Sequence, residues 1–124
     1  MTALTWPLPA NSSAPFLARQ LVGQALGDST YLDDALLVTS ELVTNAVMHG
    51  RPPVTLHLQF RSDHVRVAVV DQGPGFTNGP GSNDPLASSG RGLGIVASVA
   101  RESGSGQTAQ GWESWAVLGP SSDG

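Results

Sequence analysis

Between residues 54 and 69 the hydrophobic positions recur every second residue, whereas between 14 and 49 they recur every three or four. Val54, Leu56, Leu58 and Phe60 alternate with Thr55, His57 and Gln59, and Val65, Val67 and Val69 alternate after the polar break Arg61-Ser62-Asp63. Period two on both sides of a short break predicts an antiparallel hairpin of half-buried strands. Upstream, Phe16 or Leu17, Leu21, and Ala25 with Leu26 give the buried stripe of a helix capped by Ser12 or Ser13, with Pro15 in its first turn and Gly27 as its stop. Leu32, Ala35, Leu36, Leu42, Val43, Ala46 and Val47 predict a longer helix, opened by Thr30 and Asp33 at capping-box spacing and ended at His49 by Gly50 and Pro52-Pro53. Leu93, Val96, Val99 and Ala100 predict a third helix from Gly92 to about Arg101, and Trp112 to Leu118 a final strand. Ala3 to Trp6 reads as a short strand that Pro7 and Pro9 interrupt. Helices on one face of a small, largely antiparallel sheet make an α+β two-layer sandwich. Residues 1–118 are expected to form a single domain, with 119–124 as a tail.

One stretch fits no regular element. From Gln72 to Ser89 the chain is dominated by Gly, Pro, Ser and Asn, with Phe76 and Leu86 as its bulky apolar residues. A structureless loop beyond ~12 residues in a small domain is usually functional or disordered, and glycine motifs on either side favour a lid. Composition then narrows the chemistry. Six Arg, no Lys and ten acids leave a net charge of -4, which offers no electrostatic footprint for nucleic acid. Without Cys there is no thiol nucleophile and no Cys-ligated metal, and without Lys there is no Walker A loop. Met1 to Ser13 lacks the charge and apolar run of a signal peptide, and no segment approaches the ~20 apolar residues of a membrane span, so the cytoplasm is the expected location. His57 and His64 are expected on the solvent side of their strands, without a metal role. Arg19, off its helix stripe, is a solvated side chain or a phosphate or partner contact.

The polar side of the second helix carries the first candidate chemistry. At about 100° per residue, Glu41, Asn45 and His49 fall on one face, away from the apolar stripe. Taken alone, that pattern also describes an ordinary solvated face. Two glycine motifs follow, Asp71-Gln72-Gly73-Pro74-Gly75 and Gly90-Arg91-Gly92-Leu93-Gly94. Asp71 sits at a strand end beside a turn that Gly73 and Gly75 allow close to a ligand, where a carboxylate either accepts from an exocyclic amine or caps local backbone. The second motif opens a helix, whose unpaired N–H groups suit phosphates. It is no dinucleotide fingerprint, because Ile95 stands where the last glycine would be needed.

In order and spacing, these three elements resemble the N box and two glycine boxes of the GHKL ATPases, and within them the bacterial anti-sigma factor serine kinases. The resemblance covers about residues 14 to 118 and implies the same α+β sandwich, with nucleotide between the second helix, the third helix and the sheet. It implies that Asp71 binds the adenine amine. Gly73, Gly75, Gly90, Arg91, Gly92, Leu93 and Gly94 would surround the rest of ATP, and Asn45 would hold Mg2+. Glu41 would act on the nucleophile, water in the ATPases and a partner's serine hydroxyl in the kinases. His49 is expected to have a structural role at the helix end. The implied function is a Mg-ATP-dependent serine kinase acting on a small anti-sigma antagonist and binding a sigma factor, with room for a homodimer. The alternative is an ATP-dependent binding switch without phosphoryl transfer. The chain departs from the family in having no basic residue between Gln107 and Leu118.

Overall fold

The computed structural model describes residues 2–61, 63–73 and 88–120. In chain order the elements are β1 (Thr2–Leu8), α1 (Ala14–Leu26), α2 (Leu32–His49), β2 (Val54–Phe60), β3 (Val65–Asp71), α3 (Ser88–Val99), β4 (Glu102–Thr108) and β5 (Gly111–Leu118). The strands form one antiparallel sheet in the order β1-β2-β3-β5-β4. The three helices pack together and against one side of it, which is the two-layer α+β sandwich expected from the sequence.

Register explains which face is covered. Leu58 pairs with Leu4 and Val67, Leu56 pairs with Trp6 and Val69, and Ala116 and Leu118 pair with Val67 and Val65. These side chains share the inner face, where Ala14, Ala18, Val22 and Leu26 of α1 and Ala35, Val38, Leu42, Val43 and Ala46 of α2 complete the core. The predicted hairpin is found, with strands Val54–Phe60 and Val65–Asp71.

β1 does not stop before Pro7 but runs through it to Leu8, because β1 is an edge strand and a proline there removes no donor the sheet requires. The buried line of α1 is Ala14, Ala18, Val22 and Leu26. Leu17, Leu21 and Ala25 flank it, packed against the core, while Phe16 is 63% exposed; four-residue spacing of small residues set the packing line where bulk suggested another. Thr30 and Asp33 form no capping box: Tyr31 is the N-cap of α2, without a side-chain cap bond, and its N–H donates to Ser29 Oγ at 3.1 Å. Ser13 does precede α1, but its N–H and hydroxyl both donate to Asn11 Oδ1 and its side chain does not cap. Gly27 ends α1 as expected, with φ of 55° and its N–H on Gly23 O at 3.0 Å.

The third helix starts at Ser88 and ends at Val99, earlier at both ends than the stripe suggested. After it comes β4, a strand the sequence did not reveal. Its residues, Glu-Ser-Gly-Ser-Gly-Gln-Thr, contain almost none of the β-branched or aromatic types that mark strands. It is specified by its neighbour instead. Gly104 lies opposite Trp115, and a Cβ at Gly104 would stand 2.9 Å from Trp115 Cζ2. Arg66 lies over that indole, 5.3 Å from the ring centroid, and pairs with Glu113 at 3.2 Å. His57 is half-buried within hydrogen-bond distance of Thr5 Oγ1, 3.1 Å away, and His64 lies 2.9 Å from Asp63 Oδ1. Among the described residues no group of three His, Cys, Asp or Glu is placed to hold a metal.

Most of the expected lid, residues 74–87, lies outside the described residues, as do 121–124 of the tail.

Candidate functional site

Asp71 is the last residue of β3 and is 5% exposed. A carboxylate taken out of water needs hydrogen-bond partners. Its Oδ1 accepts from the N–H of Gly73 at 2.7 Å and, more weakly, from that of Arg51 at 3.4 Å. Its Oδ2 receives no hydrogen bond from the described residues. The surrounding backbone is tied down from two directions: the Gln72 N–H donates to Arg51 O at 2.8 Å, and Gln72 Nε2 donates to Gln110 O at 2.7 Å. The carboxylate is thus fixed through Oδ1.

Gly50 belongs to this site for a reason other than ending a helix. Its φ of -94° is open to any residue, but a Cβ there would overlap Asp71 Cγ and both carboxylate oxygens. The glycine lets the end of α2 close onto Asp71. Gly50→Ala is therefore expected to lower stability by about 1–3 kcal/mol, the usual cost of overpacking, and to weaken ligand binding at Asp71 with it. Thermal melts and ligand titration check this; an unchanged melt would show that the carboxylate yields freely and that the close approach is not needed.

Asn45, Ala46, His49, Gly50, Asp71, Trp112 and Ser114 line one cleft. It draws on α2, the end of β3 and the start of β5, where Trp112 is the cross-strand partner of Asp71. The cleft is open to solvent on one side, and the space within it is about 10 Å³, room for about one water. Three buried side-chain polar atoms among the described residues lack a partner: Thr39 Oγ1, Asn45 Nδ2 and Trp112 Nε1. Two of the three belong to residues of this cleft. A buried donor left unpaired costs ~1–3 kcal/mol, so an acceptor that reached either of these two would be stabilising.

The structure brings together Asn45, Asp71 and His49 of the expected residues, and Gly73 abuts them through its bond to Asp71. Asn45 is 8% exposed, more enclosed than a polar helix face implied. Glu41 is half-buried and does not line the cleft; it stands one turn before Asn45, about 6 Å along the helix. Gly75 lies outside the described residues, as do the side chains of Arg91 and Leu93. The glycine motif 90–94 falls within α3 and does not open it. Gly90 is in the first turn, where N–H groups have no intrahelical partner, while Gly92 and Gly94 lie past it. A Cβ on Gly94 would meet nothing within 4 Å.

Trp112 and Ser114 were missed as site residues. A signal existed for Ser114: along β5 the inward positions are Trp112, Ser114, Ala116 and Leu118, and a hydroxyl in that apolar series is out of place unless it meets something polar.

No curated protein matches the chain by sequence. Among solved structures, the RsbU and RsbW domains of Rv1364c from Mycobacterium tuberculosis match 98% of this chain with a TM-score of 0.70 at 20% identity. The chain corresponds to 33% of that chain's length, and at this identity the likeness is one of fold. The sequence pattern of the histidine kinase-like ATPase domain matches residues 12–113, a span that runs from α1 into β5 and includes Glu41, Asn45, Asp71 and every residue of the cleft lining but Ser114. The chain belongs to the histidine kinase-like ATPase domain family.

Proposed function

We propose that this protein binds Mg-ATP at the Asn45–Asp71 cleft and acts as a serine protein kinase of the anti-sigma factor type, phosphorylating a small antagonist protein. The observation that carries the reading is the convergence of a buried amide and a buried carboxylate, from different elements, on one cleft of a histidine kinase-like ATPase domain. Asp71 Oδ2 would accept from the adenine amine, and the first turn of α3 would face the phosphates. The partner class follows from the resemblance of the three motifs to the anti-sigma factor serine kinases. The likeness in fold to a chain with an RsbW domain agrees with it.

A cation fits the donor set. With no cluster of three His, Cys, Asp or Glu among the described residues, an all-protein cage is absent there, and a lone amide oxygen suits Mg2+, which keeps several waters and takes phosphate oxygens. Asn45 Oδ1 would hold it; when bound it supplies neutralisation of the charge on the β- and γ-phosphates. Asn45→Ala is expected to make ATP affinity independent of magnesium while leaving α2 intact, since alanine is the best helix former. Calorimetry with and without magnesium checks this; an unchanged magnesium response would remove Asn45 from the site.

Glu41 would orient the partner's serine hydroxyl and take its proton. As the serine oxygen bonds to the γ-phosphorus, the bond to the β–γ bridging oxygen breaks, leaving ADP and a phosphoserine. Incubation with γ-labelled ATP and candidate antagonists tests the reading, with transfer of label to one of them as the expected result. The second reading, an ATP-dependent partner-binding switch, is favoured by the position of Glu41 outside the cleft lining. Partner affinity that changes with Mg-ATP, with no label transferred, would support it.

A further inference from the structure

We infer that the indole of Trp112 is a base-reading residue, its Nε1–H donating to a ring nitrogen of adenine beside the exocyclic amine. The inference rests on the adenine reading of the cleft given above. Trp112 and Asp71 are directly paired across β5 and β3, so their side chains leave the same face of the sheet with Cβ atoms about 4.5–5.5 Å apart. One is an acceptor; the other, an indole, can only donate. An acceptor beside a donor is the complement of adenine, whose amine lies next to ring nitrogens that accept. Guanine puts a carbonyl oxygen where the amine would be, setting acceptor against carboxylate.

Burial makes the pairing more than a coincidence of register. Trp112 Nε1 is buried with no partner, which is uncommon for a native polar atom. It belongs to a residue that lines the cleft, and a second unpaired donor among the described residues, Asn45 Nδ2, belongs to a lining residue of α2. A water that bonds such a donor is displaced at little loss by a ligand atom that reproduces its hydrogen bond. None of the three sequence motifs assigns anything to Trp112.

Ligand analogues test this without relying on a variant that must fold. Calorimetry on the parent would compare ATP with 1-deaza-ATP and 7-deaza-ATP, which each lack one ring acceptor beside the amine, and with purine riboside triphosphate, which lacks the amine. One deaza analogue is expected to bind about tenfold more weakly than ATP, the effect of one buried donor left unpaired; which one it is identifies the nitrogen. In Trp112→Phe, which keeps the ring and removes the donor, ATP should weaken about tenfold, and that analogue should bind as well as ATP. The penalty for losing the amine should be the same in parent and variant, because Asp71 bears it. A parent that discriminates against the missing amine but against neither deaza analogue overturns this inference alone. So does a Trp112→Phe protein that keeps the parent's discrimination. A parent indifferent to the amine, or binding no ATP, overturns the adenine site and this inference with it.

Discussion

Glu41→Ala is expected to leave ATP affinity almost unchanged and to reduce phosphoryl transfer by ~10² to 10⁴, the usual loss when a positioned base is removed. The separation follows from where Glu41 stands. It is half-buried on α2, one turn before Asn45, and does not line the cleft that would hold the base. Alanine removes the carboxylate without disturbing the helix. Single-turnover transfer of label from γ-labelled ATP to the partner's serine, measured beside calorimetric affinity, checks both halves. A variant that transfers at the parent's rate would take Glu41 out of the mechanism, and one that loses ATP binding would place it in the nucleotide site.

Asp71→Asn should weaken ATP by roughly ten- to a hundredfold, the equivalent of one charge-assisted hydrogen bond of about 1.5 to 3 kcal/mol. Asparagine keeps the shape and keeps an acceptor for the Gly73 N–H that Oδ1 now receives at 2.7 Å. It also places an amide N–H₂ group where the adenine amine requires an acceptor. Binding should therefore suffer more than folding. Titration together with a thermal melt separates the two; a variant that binds ATP as tightly as the parent would exclude Asp71 as the adenine ligand.

How far the sequence reached depended on whether a residue's neighbours were near it in the chain. The β2–β3 hairpin and the extent of α2 were legible because alternation and helical stripes are local patterns. β4 was invisible because its reason for being a strand is Trp115, a residue of the next strand that needs Gly104 opposite it. The buried line of α1 was misread at Phe16 because bulk is a local property, while packing against α2 selects the alanines. In the site, Asn45 and Asp71 stood out through their motifs. Gly50 stood out too, but as a helix stop, when its backbone in fact abuts a carboxylate that arrives from the end of β3. Trp112 had no motif at all. Its place beside Asp71 comes from a strand register, and its unpaired N–H from burial, neither of which a single sequence displays.

Calorimetric titration of the parent protein with Mg-ATP and with Mg-GTP decides whether the Asn45–Asp71 cleft is an adenine nucleotide site. ATP is expected to bind saturably at one site per chain, with GTP weaker by at least about tenfold, because a carbonyl oxygen would face the carboxylate of Asp71. Equal affinities for the two nucleotides, or no binding of either, would contradict the adenine site.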